Sequence, residues 1–498
     1  MVESCVIGSV RFIGSSRPVD IAVAQGRIAA VLPARNTHDD ASTTWVIPGL
    51  WDYHTHFTQW AYTLGRLDLI DARSADEALD MLRAHLAERH AAGTLDPDQY
   101  VVGMRFRHSL WADDAQPTLA AIDAVTGDQP VALSSADMHC GWVNSAAARK
   151  LGVHVGESGL VGELEWFDAY CKLDKGPGAA DELMRLLRNA ELDAASKGVV
   201  GVRDYEMAEN IDTWIDRFSQ GLDGLRVQAG VYPERLQQAI DDGWHTGDEL
   251  PGSHGLGHVG AMKMISDGSL NTRSAYCSTP YSGIAPETFG TLSYTPEQIE
   301  SYMKLATEHG FDIACHAIGD EANTIVLDCA ERTGAHGSIE HAQMLKERDI
   351  PRLARLGLAA SIQPQHAMDD RDVITRFWGN PAGIPYAFNA LRKVGTKLLM
   401  GSDAPVAPLD PWMAISAAVF GTESSDREPF QPEQCLDFAT ALASSTAIGR
   451  TTLKAGDAAD LVLLDADPST VRTPESMRSM PKHVVGTMLA GRWTYQRR

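Results

Sequence analysis

The chain has 498 residues, and its 43 Lys and Arg against 66 Asp and Glu leave a formal net charge of −23 at pH 7. That length can bury a large core, so one big domain with a smaller companion is the natural expectation. The acidity excludes a nucleic acid partner, whose phosphate backbone would be repelled. No apolar run approaches the roughly 20 residues that a membrane helix needs, so no membrane partner is expected. Glu3 and the absence of a basic-then-apolar pattern predict no signal peptide. The seven cysteines are scattered, without a Cys-x-x-Cys pair, which fits reduced thiols in a cytoplasmic protein.

Taken in order, residues 5–32 hold short β-rich segments, Val19 to Val23 and Arg27 to Val31, turning at Gln25-Gly26. Next comes Val46-Ile47-Pro48-Gly49-Leu50-Trp51-Asp52-Tyr53-His54-Thr55-His56, an apolar run ending in two histidines one residue apart. Alternate side chains of a strand share a face, so His54 and His56 point the same way and can grip one metal ion from one side. The stretch from about 57 to 178 is too long for a single connection, and it carries a helix capped by Ser74 and Glu77 and a strand at Tyr100 to Met104. It reads as an insertion over the mouth of whatever the first strand builds.

From there strand and helix signals alternate, which predicts α/β architecture with a parallel sheet. A helix over about 180–197 is stopped by Gly198. Strands follow at Val199 to Val202, Leu225 to Val231 and Val259 to Ile265. Helix 295–309 has Thr295 as cap, Pro296 at its first position and Gln298 to close a capping box, with Gly310 as its stop. Phe311 to Cys315, Ser338-Ile339, Leu358 to Ile362 and Lys397 to Met400 bring the strands, with the opening one, to eight. Eight strand–helix units predict a distorted (β/α)8 TIM barrel with its active site at the carboxyl ends of the strands. The far end returns to strands, Ala459 to Leu464 and a hairpin between Val484 and Tyr495. Neither end can form a core alone, so residues 1–48 and 449–498 are expected to make one composite β-sandwich beside a barrel over 49–448.

Polar residues stand where the predicted strands run out: His54 and His56 on the first, Lys263 on the fourth, His316 on the fifth, His341 on the sixth and Asp403 on the eighth. Each alone has a bland reading, as a satisfied polar residue, a snorkelling Lys or a helix-capping Asp. Four His, one Lys and one Asp at successive strand ends together point to a metal site. His139, Trp142 and Asn144 in the insertion, Arg273 after the fourth strand and His366 after the seventh offer substrate contacts, with core or solvated roles as the alternative for each. The run Gly255-Leu256-Gly257-His258-Val259-Gly260 matches a dinucleotide fingerprint only on paper, because it leads into a strand instead of opening a helix. No nucleophile-elbow serine is found.

The order His-x-His, Lys, His, His, Asp resembles the ligand pattern of the metal-dependent amidohydrolase superfamily. Asp267-Gly268-Ser269, His316-Ala317-Ile318-Gly319-Asp320, Glu340-His341-Ala342-Gln343 and Ser402-Asp403-Ala404-Pro405 look like its amidohydrolase family 3 branch, to which the N-substituted formamide deformylases belong. The resemblance covers nearly the whole chain, including Gly456 to Val462 as the return to the sandwich. It implies one or two divalent ions, zinc first among them, held by His54, His56, Lys263, His316, His341 and Asp403. It also implies a CO2-derived carbamate on Lys263, since an ammonium with a pKa of about 10.4 is a poor ligand. The alternative for Lys263 is an ion pair with Asp267 beside a single metal. A divalent ion drops the pKa of bound water to about 7, and the resulting hydroxide would attack a carbon–nitrogen bond, a non-peptide amide or N-formyl group of a small molecule, with Asp403 taking the proton. The alternatives are a metal-dependent deaminase of an aminated heterocycle and a catalytically dead barrel serving as a scaffold. A homodimer is left open.

Overall fold

A computed structural model describes residues 4–35, 44–108, 111–135, 140–173 and 179–497. The chain forms two compact units, one of residues 1–57 with 191–498 and one of 58–190.

In the first unit, strands β1 (Cys5–Phe12), β2 (Pro18–Ala24), β3 (Arg27–Pro33) and β4 (Thr44–Pro48) open the chain and β5 (Leu50–Thr55) follows at once. Every residue of β5 is buried, as expected of a parallel strand covered on both faces. The second unit carries β6 (Leu67–Asp68), β7 (Val101–Phe106), β8 (Val131–Ser135), β9 (Cys140–Val143) and β10 (Leu160–Gly162) in a five-stranded sheet ordered β10-β9-β8-β7-β6. Leu79, Leu82, Phe106, Ile122, Leu133 and Trp142 pack one of its apolar cores.

Back in the first unit come β11 (Val199–Asp204), β12 (Arg226–Val231), β13 (Gly257–Ile265), β14 (Ile313–Ala317), β15 (Gly337–His341), β16 (Met344–Leu345), β17 (Ala359–Ile362), β18 (Ile384–Pro385) and β19 (Leu398–Met400). Eight of the strands form one parallel sheet in the order β19-β17-β15-β14-β13-β12-β11-β5. The two edge strands, β5 and β19, are drawn together just past their ends, where Asp403 N donates to His54 O (2.7 Å) and His56 N to Ala404 O (2.8 Å). The sheet is thus a nearly closed barrel of the predicted kind. Gly401 makes this approach possible, because a Cβ there would lie 2.6 Å from His54 N.

The last three strands, β20 (Leu461–Leu464), β21 (Val484–Leu489) and β22 (Arg492–Gln496), complete a seven-stranded sheet ordered β22-β21-β20-β4-β1-β2-β3. Strand β4 sits between the two ends of the chain, parallel to β1 and antiparallel to β20. Val10, Ile21, Val46, Leu461 and Met488 are buried together against it.

Local signals set most boundaries. The helix Pro296–Glu308 has the full capping box between Thr295 and Gln298. The helix Ala75–Ala91 takes its cap from Ser74, but Glu77 bonds Arg73 instead of closing a box. Strand β14 runs two residues beyond the predicted end, so His316 belongs to the strand itself.

Candidate metal centre

His54 is 1 % exposed at the end of β5. Its Nδ1 lies 2.6 Å from Glu340 Oε2 on β15, and Ser338 Oγ donates to the other carboxylate oxygen at 2.5 Å. Burial drives Glu340 up, but the bond to His54 and the charges of Lys263 and Arg203 outweigh it and hold the carboxyl down at about 2. Burial, with the Lys263 charge beside it, lowers the pKa of His54. A neutral His54 giving its Nδ1 proton to an ionised Glu340 presents the Nε2 lone pair inward.

That Nε2 is 3.2 Å from Lys263 Nζ and 3.5 Å from Asp403 Oδ1. His56 Nε2 is 3.4 Å from the same carboxylate oxygen. The His341 ring lies 4.9 Å from that of His54 and 4.5 Å from that of His316. All six predicted strand-end residues are therefore neighbours. His341 (φ 70°) and Asp403 (φ 59°) adopt left-handed backbone conformations at their strand ends, which cost energy in a non-glycine residue and collect at functional sites.

The electrostatics favour ligands ready for a cation. Burial pushes His316 down to about 3 and His341 well below the ordinary histidine value. Burial lowers Lys263 too, and its Nζ sits 4.9 Å from the Tyr205 ring centroid. For Asp403 burial acts upward, but the surrounding histidines, His54 foremost, outweigh it and keep the carboxyl ionised. For His56 burial acts downward and the Asp403 carboxylate outweighs it, raising the pKa.

Among the described residues, His54, His341 and Asp403 each offer a ligand atom, and these atoms lie within 4.8 Å of one another. The Nδ1 atoms of His56 and His341 are buried with no hydrogen-bond partner among the described residues, although a buried polar atom ordinarily has one. Buried imidazoles, His316 and His341 among them shifted strongly towards the neutral form, beside the Asp403 carboxylate are the donor set of a divalent ion such as zinc, so the residues fit the implied metal.

Two readings of single residues do not hold. Asp267 is no partner for Lys263: it accepts backbone N–H groups from Ile318, Gly319 and Tyr276, with His316 Nε2 at 3.4 Å. Burial still lifts its carboxyl to about 7. Nor does Asp403 cap the next helix, Pro411–Phe420, which takes its cap from Asp410.

The candidate substrate contacts divide. His366 stands beside the cluster, stacked on His341 at 6.0 Å with Nε2 3.9 Å from Asp403 Oδ2. Arg273 is exposed and lies over the Phe377 ring at 5.4 Å. Trp142 is fully buried in its own unit's core, with Nε1 donating to Thr118 O. Asn144 caps the helix Ser145–Leu151 and bonds Val131 N, Thr126 Oγ1 and Gln129 O. Packing and capping use up both of these side chains, so they are corrected to structural residues. His139 lies outside the described residues.

Two contributors escaped sequence reasoning. Asp52 is buried, and its Oδ1 accepts from His54 N (3.1 Å) and Ser402 N (2.9 Å), fixing the two strand ends to each other. Its signal was in plain view, since residues 52, 54 and 56 share one parity on the strand. Glu340 stood inside the recognised run Glu340-His341-Ala342-Gln343, but its bond to His54 joins residues 286 apart and left no local mark.

The model of the family described as "Amidohydrolase family" matches residues 40–495. The N-substituted formamide deformylase of Arthrobacter pascens is 25% identical over 520 residues, covering 92% of this chain and 90% of that protein. Protein LONG AFTER FAR-RED 3 of Arabidopsis thaliana is 25% identical over 493 residues, covering 90% of this chain and 82% of that one. A solved structure titled as an uncharacterized metal-dependent hydrolase from Pyrococcus horikoshii OT3 superposes with a TM-score of 0.75 at 23% identity, covering 91% of this chain and 94% of that chain.

Proposed function

This chain belongs to the amidohydrolase family and is a hydrolase, and from that premise we propose that it cleaves a carbon–nitrogen bond, a non-peptide amide or N-formyl bond, of a small molecule. The observation that carries the proposal is the convergence of His54, His56, Lys263, His316, His341 and Asp403 at the carboxyl ends of the barrel strands. The deformylase among the relatives supports the choice of N-formyl substrates.

His54, His56 and Asp403 would hold one ion, and His316 and His341 a second. A bound divalent ion, zinc first among the choices, lowers the pKa of a coordinated water to about 7 and polarises the substrate carbonyl. Burial lowers the pKa of Lys263 and so favours its neutral amine. Its neutral Nζ would add to the carbon of CO2, losing a proton to solvent, and the resulting carbamate would offer the metal centre an anionic oxygen ligand. Glu340 fixes the His54 tautomer through Nδ1. Asp403 takes the proton of the attacking water on its carboxylate and returns it to the leaving nitrogen. The amide carbon gains the water oxygen, its bond to nitrogen breaks, and an acid and an amine leave.

The test is a panel of N-formyl and N-acyl amines offered to the zinc-reconstituted protein, read by release of formate or carboxylate together with amine. Turnover of that class is expected. Ammonia from aminated heterocycles, with every amide and formamide inert, would replace this reading by a deaminase.

A further inference from the structure

A cavity partly open to solvent lies beneath the metal centre, towards the end of the barrel where β14 and β15 begin. Its wall is made by Gly260 and Ala261 of β13, Ile313 at the start of β14, Gly337 and Ser338 at the start of β15, and Arg203 and Gln228. Ile313, Gly337 and Ser338 lie at the amino-terminal ends of β14 and β15, Gly260 and Ala261 lie midway along β13, and Arg203 and Gln228 reach in from β11 and β12, whereas His316 and His341 sit at the carboxyl ends of β14 and β15.

Arg203 is the anomaly there. Its Nε donates to Gln228 Oε1 at 2.6 Å, and its guanidinium lies 5.2 Å from the Tyr53 ring centroid. Among the described residues no carboxylate oxygen comes within the 4.0 Å of an ion pair. Burial disfavours its charge, but the Tyr205 hydroxyl, which it also bonds, and the Glu340 carboxylate outweigh that, so the guanidinium stays a cation. A second cation, Lys397, just ahead of β19, is near enough for Arg203 to lower its pKa, after burial. The Asp312 carboxylate stands exposed on the rim as the one acidic side chain of the lining. A planar donor fork without a carboxylate partner, facing a cavity, is what two-oxygen anions recognise.

We propose that this cavity is a binding site for a small oxyanion, a carboxylate or phosphate, whose ligand is the outer edge of the Arg203 guanidinium. The site is separate from the metal centre and stands whether or not the proposed reaction is right. It borders that centre through Glu340, which feels the Arg203 charge and bonds His54, and through Tyr205, whose ring packs against His54 and Lys263.

The experiment is calorimetric titration of the metal-loaded protein with acetate, and separately with inorganic phosphate, at constant ionic strength. Wild type should bind with a Kd of about 1 mM or tighter. Arg203→Lys keeps a charge to balance Glu340 and so should fold, but it loses the fork, and affinity should fall about tenfold. Asp312→Asn removes like charge from the rim and should tighten binding about threefold. No uptake by wild type at about 20 mM, or an affinity that neither substitution moves, would overturn the proposal. The second of these would place the anion on the metal ions and leave Arg203 only the task of balancing Glu340.

Discussion

Asp403 concentrates the chemistry at the scale of single residues. Converted to Asn, it can still turn an oxygen towards a metal but cannot accept a proton at useful pH. Asp403→Asn should remain folded and keep part of its metal while kcat falls about 10²–10⁴-fold. Steady-state kinetics beside metal content and melting temperature check this, and a destabilised but fully active variant would remove Asp403 from the mechanism. Asp52 carries a prediction in pH. Burial raises its carboxyl from 3.8 to about 7. The folded state therefore binds a proton that the unfolded chain has lost, and stability declines as pH rises through that window. In the metal-free protein, Asp52→Asn should flatten the fall in melting temperature between pH 4 and 7. An unchanged slope would mean that the carboxylate is ionised throughout. The six strand-end residues could be picked out in the sequence because a barrel gathers at its mouth the polar residues in and just after the last residues of its strands. Asn144 and Trp142 were misread because a cap or a core indole looks the same in sequence as a substrate contact.

Elements were legible where a local code specifies them. The helix Pro296–Glu308 carries cap, box and stop in its own sequence. Thr295→Ala should cost about 1 kcal/mol and leave activity unchanged, as chemical denaturation beside a rate assay would show. A loss of activity at unchanged stability would contradict a purely structural cap. Strand ends were less legible. Predicted to stop at Cys315, β14 runs on to Ala317 because pairing with β15 continues through His316 and Ala317. Such pairing depends on a neighbour far away in sequence, and no propensity records it. The same holds for β4, a five-residue strand whose apolar pattern does not reveal that it will lie between β1 and β20.

At the scale of the whole molecule, eight alternating strands were enough to predict the barrel, since parallel strands joined by helices have few ways to close. Within its unit the barrel brings residues from Asp52 to Asp403 to one place, and a bound ion should stabilise that assembly. By mass action, free metal at 100 times its Kd adds about 2.7 kcal/mol, so chelation should lower the melting temperature and zinc should restore it. The most direct test of the metal centre is elemental analysis of zinc-equilibrated protein after gel filtration, wild type beside His54→Ala. Wild type should retain one or two divalent ions per chain, and the variant, lacking the side chain that touches Lys263, Asp403 and Glu340, should lose most of them. Near-wild-type metal content in a folded, active His54→Ala would contradict the assignment of this cluster as the site of catalysis.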